Sequence, residues 1–148
     1  MKIKAFGMNA LLTCLLLTFA MTNVKAQNTQ ITVSNIRSSK GKIMLSLFKD
    51  EKSFKDAKPF KTTSYEKKGL ANGILVLKWQ IEPGIYGMAL LDDENQNTEM
   101  DKNLIGVPKE GFGFSDFYLE KLKAPSFNEF KTEIKSEGNK IQIKVKYM

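Results

Sequence analysis

Residues 74–93 read ILVLKWQIEPGIYGMALLDD, and this stretch decides the fold class. Every second residue from Leu75 to Ile81 is apolar, which predicts a β-strand with one buried face. Pro83 presets the backbone of a tight turn, and Gly84 permits a positive φ angle there. Residues 85–91 are apolar on both faces, so they predict a central strand of a sheet.

Strand patterns continue on both sides of this stretch. They cover the segments Gln30–Arg37, Lys42–Phe48, Lys61–Lys67, Phe127–Lys135 and Ile141–Tyr147. The third segment is the most polar, as expected of an edge strand. Between the second and the third, Phe54 and Ala57 fit one side of a single helical turn. About seven short strands without a long amphipathic helix predict an all-β fold, an antiparallel β-sandwich of the immunoglobulin or transthyretin-like type. A β-barrel is the alternative.

The first 26 residues predict a secretory signal peptide. Lys2 and Lys4 precede an apolar run over residues 10–20, and the small residue Ala26 stands before the expected cleavage site. The run is too short for a comfortable membrane span, and an uncleaved anchor is the alternative. We therefore expect an exported protein, periplasmic or extracellular, with one β-sandwich domain at residues 27–148 and no membrane span after cleavage.

The composition excludes several classes of function. The single cysteine, Cys14, lies in the predicted signal peptide, so residues 27–148 have no disulfide and no thiol nucleophile. The chain has no histidine, which excludes Ser-His-Asp catalysis and the usual zinc sites. Without Lys2, Lys4 and Lys25, 20 of the 23 basic residues remain against 16 acidic ones. The lysines are scattered, so we expect no nucleic-acid binding.

After the predicted central strand, oxygen-bearing side chains occupy every second position. They are Asp93, Asn95, Asn97, Glu99 and Asp101. Ca²⁺ takes six to eight oxygen ligands from carboxylates, amides and carbonyls, and a loop curled around an ion points alternate residues inward. The spacing matches positions one to nine of an EF-hand loop, in which the seventh position contributes its backbone carbonyl. We predict a Ca²⁺ site formed by these five residues.

Two positions depart from the EF-hand pattern. Thr98 stands at position six, where glycine allows a sharp turn, and Leu104 stands at position twelve, where a glutamate is the bidentate ligand. Asp92, Asn103, Glu110 or water are the candidates for the missing ligand. The alternative interpretation is a polar loop whose Asp and Asn side chains bond their own backbone in Asx-turns.

A glycine-rich aromatic segment, Gly106–Ser115, follows the acidic residues. Its Phe112 and Phe114 either fold onto the core and anchor the loop, or line an exposed ligand patch. We favour anchoring, because long loops in small domains are commonly held by their own side chains.

At these residues the chain resembles DUF2141, a bacterial family of unknown function. Asp93–Asp101 fits the pattern D-x-N-x-N-x-x-x-D, and Gly106–Ser115 fits G-x-P-x-E-G-x-G-F-S. Pro83–Tyr86 fits P-G-x-Y, and Pro125–Phe127 fits P-x-F. The resemblance covers nearly all of residues 27–148 and implies an exported β-sandwich without an assigned activity.

The chain departs from the common pattern of that family at two positions. Asp92 stands where a histidine is frequent, which argues against a histidine-based site. Thr98 stands where glycine is usual, which weakens the likeness to an EF-hand loop without removing it.

Three functions remain open from the sequence. The first is a non-catalytic binding or interaction module of the cell envelope, its loop stiffened by Ca²⁺ and its partner a protein or glycan of the envelope. The second is a carboxylate-based, carbohydrate-active enzyme that uses the same loop. The third is a purely structural domain without a ligand. We favour the first and expect no enzymatic activity, because the available acids lie in one loop that a cation explains better.

Overall fold

The computed structural model describes residues 27–148 except Leu122, and the predicted signal peptide lies outside the described residues. In chain order the elements are β1 (Gln27–Ser34), β2 (Lys42–Phe48), α1 (Glu51–Lys55), β3 (Lys61–Glu66), β4 (Leu75–Ile81), β5 (Gly84–Asp93), β6 (Gly111–Phe114), α2 (Phe127–Phe130), β7 (Lys131–Ile134) and β8 (Lys140–Lys144). The all-β prediction is therefore confirmed. Among the described residues, no helix has the length and apolar character needed to cross a membrane.

The strands form two sheets that pack as a sandwich. The smaller sheet has the order β4-β1-β8, and the larger has the order β3-β2-β5-β6, with β7 also paired to β5. Five of the six pairings between these strands are antiparallel, and the pairing of β1 with β8 is parallel. The parallel pair joins strands from the two ends of the domain, so no short turn dictates their relative direction.

Alternating aliphatic residues from both sheets fill the space between them. In β4 every second residue is buried and the residues between are exposed, which confirms the predicted period of two. β5 pairs with three strands, which confirms its predicted central position, and β3 lies at an edge as its polar sequence predicted. The buried members from the strands are Ile31, Val33, Ile43, Leu45, Leu47, Leu75, Leu77, Trp79, Ile81, Tyr86, Met88, Leu90, Ile134, Ile141 and Ile143.

A second core lies on the outer face of the larger sheet, beneath the two short helices. We call it the phenylalanine cluster, and it consists of Phe48, Phe114, Phe127 and Phe130, with Phe54 of α1 packed against them. The rings of Phe54 and Phe130 meet edge to face, 4.8 Å apart. The predicted helical turn is thus confirmed at Phe54, whereas Ala57 lies beyond the helix, is exposed and has a φ angle of 51°. The buried residues of both cores lie between residues 31 and 145.

The prediction of one strand over Phe127–Lys135 is wrong in its first half. Residues 127–130 form α2, and only β7 is extended. The Glu129 carboxylate accepts hydrogen bonds from the backbone N–H and the hydroxyl of Ser126, which closes the start of the turn. The helical turn brings both Phe127 and Phe130 into the phenylalanine cluster, an arrangement that a strand would not give.

The glycine-rich aromatic segment contains a strand that the sequence interpretation treated as loop. β6 alternates Gly and Phe, and its glycines face the end of the chain. A Cβ on Gly111 would lie 2.4 Å from Tyr147 and 2.5 Å from Val145, and one on Gly113 would lie 2.6 Å from Ile143. The missing side chains therefore let the last residues of the chain cross closely over β6.

Candidate functional site

The acidic loop leaves β5 at Asp93 and folds back over this residue. The Asp93 side chain is buried, and its two carboxylate oxygens accept the backbone N–H groups of Asn97 at 3.1 Å and Thr98 at 3.0 Å. The carboxylate thus closes residues 93–98 into a turn, which begins a curl over residues 93–101. The burial and the two bonds make Asp93 the anchor of the curl.

Three further side chains converge inside the curl. The side-chain amides of Asn95 and Asn97 each approach one oxygen of the Asp101 carboxylate, the second at 3.1 Å. Each asparagine oxygen accepts the backbone N–H two residues further on, at Asn97 and Glu99 respectively. Asx-turns are therefore present, and they gather the predicted oxygen-bearing side chains. Glu99 contributes backbone to the curl, while its side chain is exposed.

The backbone of Thr98 adopts the turn that glycine provides in EF-hand loops. Its φ angle is 66°, in the left-handed region, and Gln96 at φ 62° is also left-handed. A β-branched residue is strained in this region. The absence of glycine at position six therefore does not prevent the sharp turn.

Glu110 ties the two ends of the acidic loop together. Its side chain is buried, and its carboxylate accepts the backbone N–H of Glu94 at 3.0 Å and of Asp101 at 3.3 Å. Of the three residues considered for a missing ligand, Glu110 is the one that touches the curl. Asn103 instead accepts N–H groups of its own turn, at Ile105 and Val107.

Asp92 faces the interior and belongs to a buried charge network that the sequence analysis missed. The Lys67 ammonium lies 2.5 Å from Asp92 Oδ1, and both side chains are almost fully buried. The directed hydrogen bonds of Lys67 go to the carbonyls of Ser38 and Lys40, so its contact with Asp92 is a charge contact without hydrogen-bond alignment. The Tyr147 hydroxyl donates to Asp92 Oδ2 at 2.5 Å. Burial and this carboxylate raise the pKa of Tyr147 far above its usual value.

Arg37 connects the network to the acidic loop. Its guanidinium donates to both carboxylate oxygens of Glu94, at 3.0 and 2.7 Å, and its centre lies 4.3 Å from the centroid of the Tyr147 ring. The hydrogen bond from Arg37 lowers the pKa of Glu94. Glu94, the residue after the anchor Asp93, is thus held from both sides, through its backbone by Glu110 and through its side chain by Arg37.

An apolar groove of about 510 Å³ runs beside the acidic loop on the outer face of the larger sheet. Its floor comes from β2, β5 and β6, one wall from α1 and the segment after it, and the other wall from the loop. The lining residues used below are Met44, Leu91, Met100, Pro108 and Phe112. Phe114 is buried in the phenylalanine cluster, Phe112 is half-buried and packs against this cluster, and both residues also line the groove. The predicted anchoring of the segment by its two phenylalanines is therefore confirmed.

A comparison with known protein families identifies the family of the chain. Residues 31–142 match the profile of a family described as "Uncharacterized protein conserved in bacteria (DUF2141)". The chain belongs to the DUF2141 family. No curated protein and no solved structure matched it.

The DUF2141 match includes the acidic loop and the whole groove, and it ends before Tyr147. Asp92 has partners in Lys67 and Tyr147, and the three residues form a buried charge network. Of these three, Tyr147 lies outside the matched residues.

The predicted ligands of the curl are oxygen-bearing groups of the kinds that Ca²⁺ binds, and only some of them are acidic side chains. Within the described part of the chain, no three His, Cys, Asp or Glu side chains are grouped to hold a metal ion. The predicted set consists instead of two carboxylates, two amides and a carbonyl. Each carboxylate offers about four lone-pair sites, and the two N–H groups at Asp93 use two of them. In this structure both asparagine oxygens accept backbone N–H groups and both amide nitrogens face Asp101, so binding of an ion beside Asp101 through these amides would require the two side chains to reorient.

Proposed function

We propose that this DUF2141 protein is an exported, non-catalytic binding module of the cell envelope. It holds an apolar molecule in the groove beside the acidic loop, and Ca²⁺ stiffens that loop. The observation that carries the proposal is the groove itself, an open apolar cavity on the outside of a sheet whose other face is already fully packed. Outer sheet faces are normally polar, so an apolar one marks a binding surface.

The chemistry of the groove favours an apolar occupant over a glycan. Its volume lies within the range of about 300–1,000 Å³ that is usual for small-molecule sites. Its polar side chains are hydroxyls, and two of these, on Ser46 and Thr62, already bond each other at 3.0 Å. Methionine lines both the floor and the wall at Met44 and Met100, and its flexible thioether adapts to varied apolar shapes. A molecule of the size of a medium-length acyl chain fits this description.

Substitution of Leu91 in the groove floor tests the binding site. Residues 27–148 are titrated with 1-anilinonaphthalene-8-sulfonate, a dye whose fluorescence rises when it binds an apolar site. We expect saturable binding, and we expect Leu91→Gln to weaken it by about tenfold or more, because one buried aliphatic contact contributes at least about 1.4 kcal/mol.

Val76→Gln is the matched control, since Val76 is an exposed aliphatic residue on the outer face of the smaller sheet. We expect it to leave the affinity for the probe unchanged. Equal weakening by both substitutions, or a signal that does not saturate, would count against a specific groove.

The calcium part of the proposal rests on the convergence of Asp93, Asn95, Asn97 and Asp101. Among the described residues, no basic side chain forms a salt bridge with Asp93 or Asp101, so the two carboxylates leave negative charge in the curl that a cation relieves. The loop supplies the groove residues Met100 and Pro108, so an ion in the curl would also fix one wall of the groove.

Thermal unfolding in calcium and in excess EGTA tests this part. We expect calcium to raise the melting temperature by several degrees, on the order of 1–2 kcal/mol. Asp101→Asn should abolish the shift, because it removes a charged ligand with almost no change of shape. Glu99→Gln should preserve the shift, because Glu99 is expected to bind through its backbone carbonyl. An identical melting temperature in calcium and EGTA would refute the calcium site and leave the groove proposal standing.

Hydrogen bonding within the loop supports a non-catalytic role. The carboxylates of Asp93, Asp101 and Glu110 each accept two hydrogen bonds from the loop, so they act as structural acceptors. The alternative, a carboxylate-based carbohydrate-active enzyme, predicts oligosaccharide cleavage that Asp101→Ala removes.

A further inference from the structure

Two adjacent aliphatic residues project into solvent at the far end of the acidic loop. Leu104 and Ile105 have relative exposures of 107% and 84%, the highest of the exposed large hydrophobic side chains. Single exposed aliphatic residues are common on protein surfaces. An adjacent pair at this exposure, with no part in either core, is not explained by folding.

The local backbone holds this pair outward. Lys102 and Pro108 form a β-bridge below it, and the backbone N–H of Asn103 donates to the carbonyl of Val107 at 2.8 Å. The Asn103 side chain accepts the N–H groups of Ile105 and Val107 at 3.0 and 2.9 Å. The segment 102–108 is therefore a small, internally bonded hairpin. We call it the loop tip.

Two basic residues lie at the base of the loop tip. Lys102 is its first residue and Lys109 directly follows it, and both are exposed. The nearest acidic side chains are already engaged: Asp101 by two asparagine amides and Glu110 by two backbone N–H groups. Glu99 is the exposed acidic neighbour, and residues 27–148 as a whole carry 20 basic against 16 acidic residues. Two exposed aliphatic side chains with two lysines beside them are complementary to a bilayer with anionic headgroups.

We propose that the loop tip docks the protein on an anionic phospholipid surface, with Leu104 and Ile105 entering the acyl boundary and Lys102 and Lys109 meeting the phosphates. This contact is peripheral and needs no spanning segment. It goes beyond the proposed function and requires neither an occupied groove nor a bound cation.

Sedimentation with lipid vesicles tests the proposal. Residues 27–148 are mixed with vesicles of phosphatidylcholine alone and with vesicles that also contain phosphatidylglycerol. We expect binding to the anionic vesicles and a loss of at least tenfold in affinity for the double variant Leu104→Ser/Ile105→Ser. Lys102→Gln/Lys109→Gln should also weaken binding, and salt should weaken the wild type because exposed charges are screened.

The matched control is Val76→Ser/Ile85→Ser, which removes two aliphatic residues of 54% and 57% exposure elsewhere on the surface. It should bind vesicles like the wild type. Leu91→Gln, the groove variant, should also do so, which separates failure of this proposal from failure of the groove. Absence of wild-type binding, or equal loss in the tip and control variants, would overturn the membrane contact. Equal binding to neutral and anionic vesicles would overturn the role of the lysines.

Discussion

Replacement of Lys67 by Met is expected to lower the free energy of unfolding by about 3–5 kcal/mol. The Lys67 ammonium and the Asp92 carboxylate are 2.5 Å apart and almost completely shielded from water. Met is similar in length but uncharged, so Asp92 would keep the Tyr147 hydroxyl and lose its cationic partner. A buried carboxylate without such a partner is costly in free energy. Equilibrium unfolding in urea measures the loss.

Two further variants separate the effect of the buried ion pair from that of losing a lysine. Lys42→Met breaks the pair with Glu66, which is 3.2 Å long and exposed, so it should cost about 1 kcal/mol or less. Adding Asp92→Asn to Lys67→Met should recover part of the stability, because it removes the unpaired charge. If Lys67→Met costs no more than Lys42→Met, water reaches the pair and the network contributes little.

Replacement of Gly41 by Ala is expected to destabilise the protein by about 2–5 kcal/mol. Gly41 has φ +73°, and a Cβ there would lie 2.0 Å from the carbonyl oxygen of Asp93 and 2.5 Å from Cα of Glu94. The left-handed conformation costs a non-glycine residue about 1–2 kcal/mol, and the collision with backbone adds about 1–3 kcal/mol. The backbone that must move is the beginning of the acidic loop. Urea unfolding measures the change in stability.

Gly138→Ala provides the control for Gly41→Ala. Its φ angle is +75°, and its Cβ would meet no atom within 4 Å. Gly138→Ala is therefore expected to lower the free energy of unfolding only by the cost of the left-handed conformation, about 1–2 kcal/mol. Equal effects of the two substitutions would show that the contact between Gly41 and the loop backbone is not tight.

The sequence predicted those parts of the fold whose signal is local. The strands β2, β4 and β8 follow from alternating apolar residues, and the acidic curl follows from alternating oxygen-bearing ones. α2 has a local signal, the capping-box pattern of Ser126 and Glu129, but it was missed because the alternation of Phe130, Thr132 and Ile134 was extended backwards as a strand. β6 was missed because its inward positions are glycines, so it lacks the apolar alternation that identifies a strand.

The candidate site was predicted in part for the same reason. Asp93 and Asp101 lie in one continuous segment, so their spacing could be read directly. The network of Lys67, Asp92 and Tyr147 joins residues far apart in the sequence, and each one alone resembles an ordinary strand residue. The groove likewise exists only because α1 and the loop rise on opposite sides of the sheet. Its lining residues have no common sequence pattern, although Phe112 and Phe114 of its floor were considered for a ligand patch from the sequence.

The parallel pairing of β1 with β8 has a consequence for the order of folding. β1 lies between β4 and β8, so the smaller sheet remains incomplete until almost the whole chain is present. Closing a contact across the full domain requires a large loss of chain entropy before its stabilisation is gained. Folding should therefore be slow relative to a helical protein of this size, and it should begin in the larger sheet, where β2, β3 and β5 pair over shorter separations. One edge of β1 therefore has no partner strand until β8 is available for pairing.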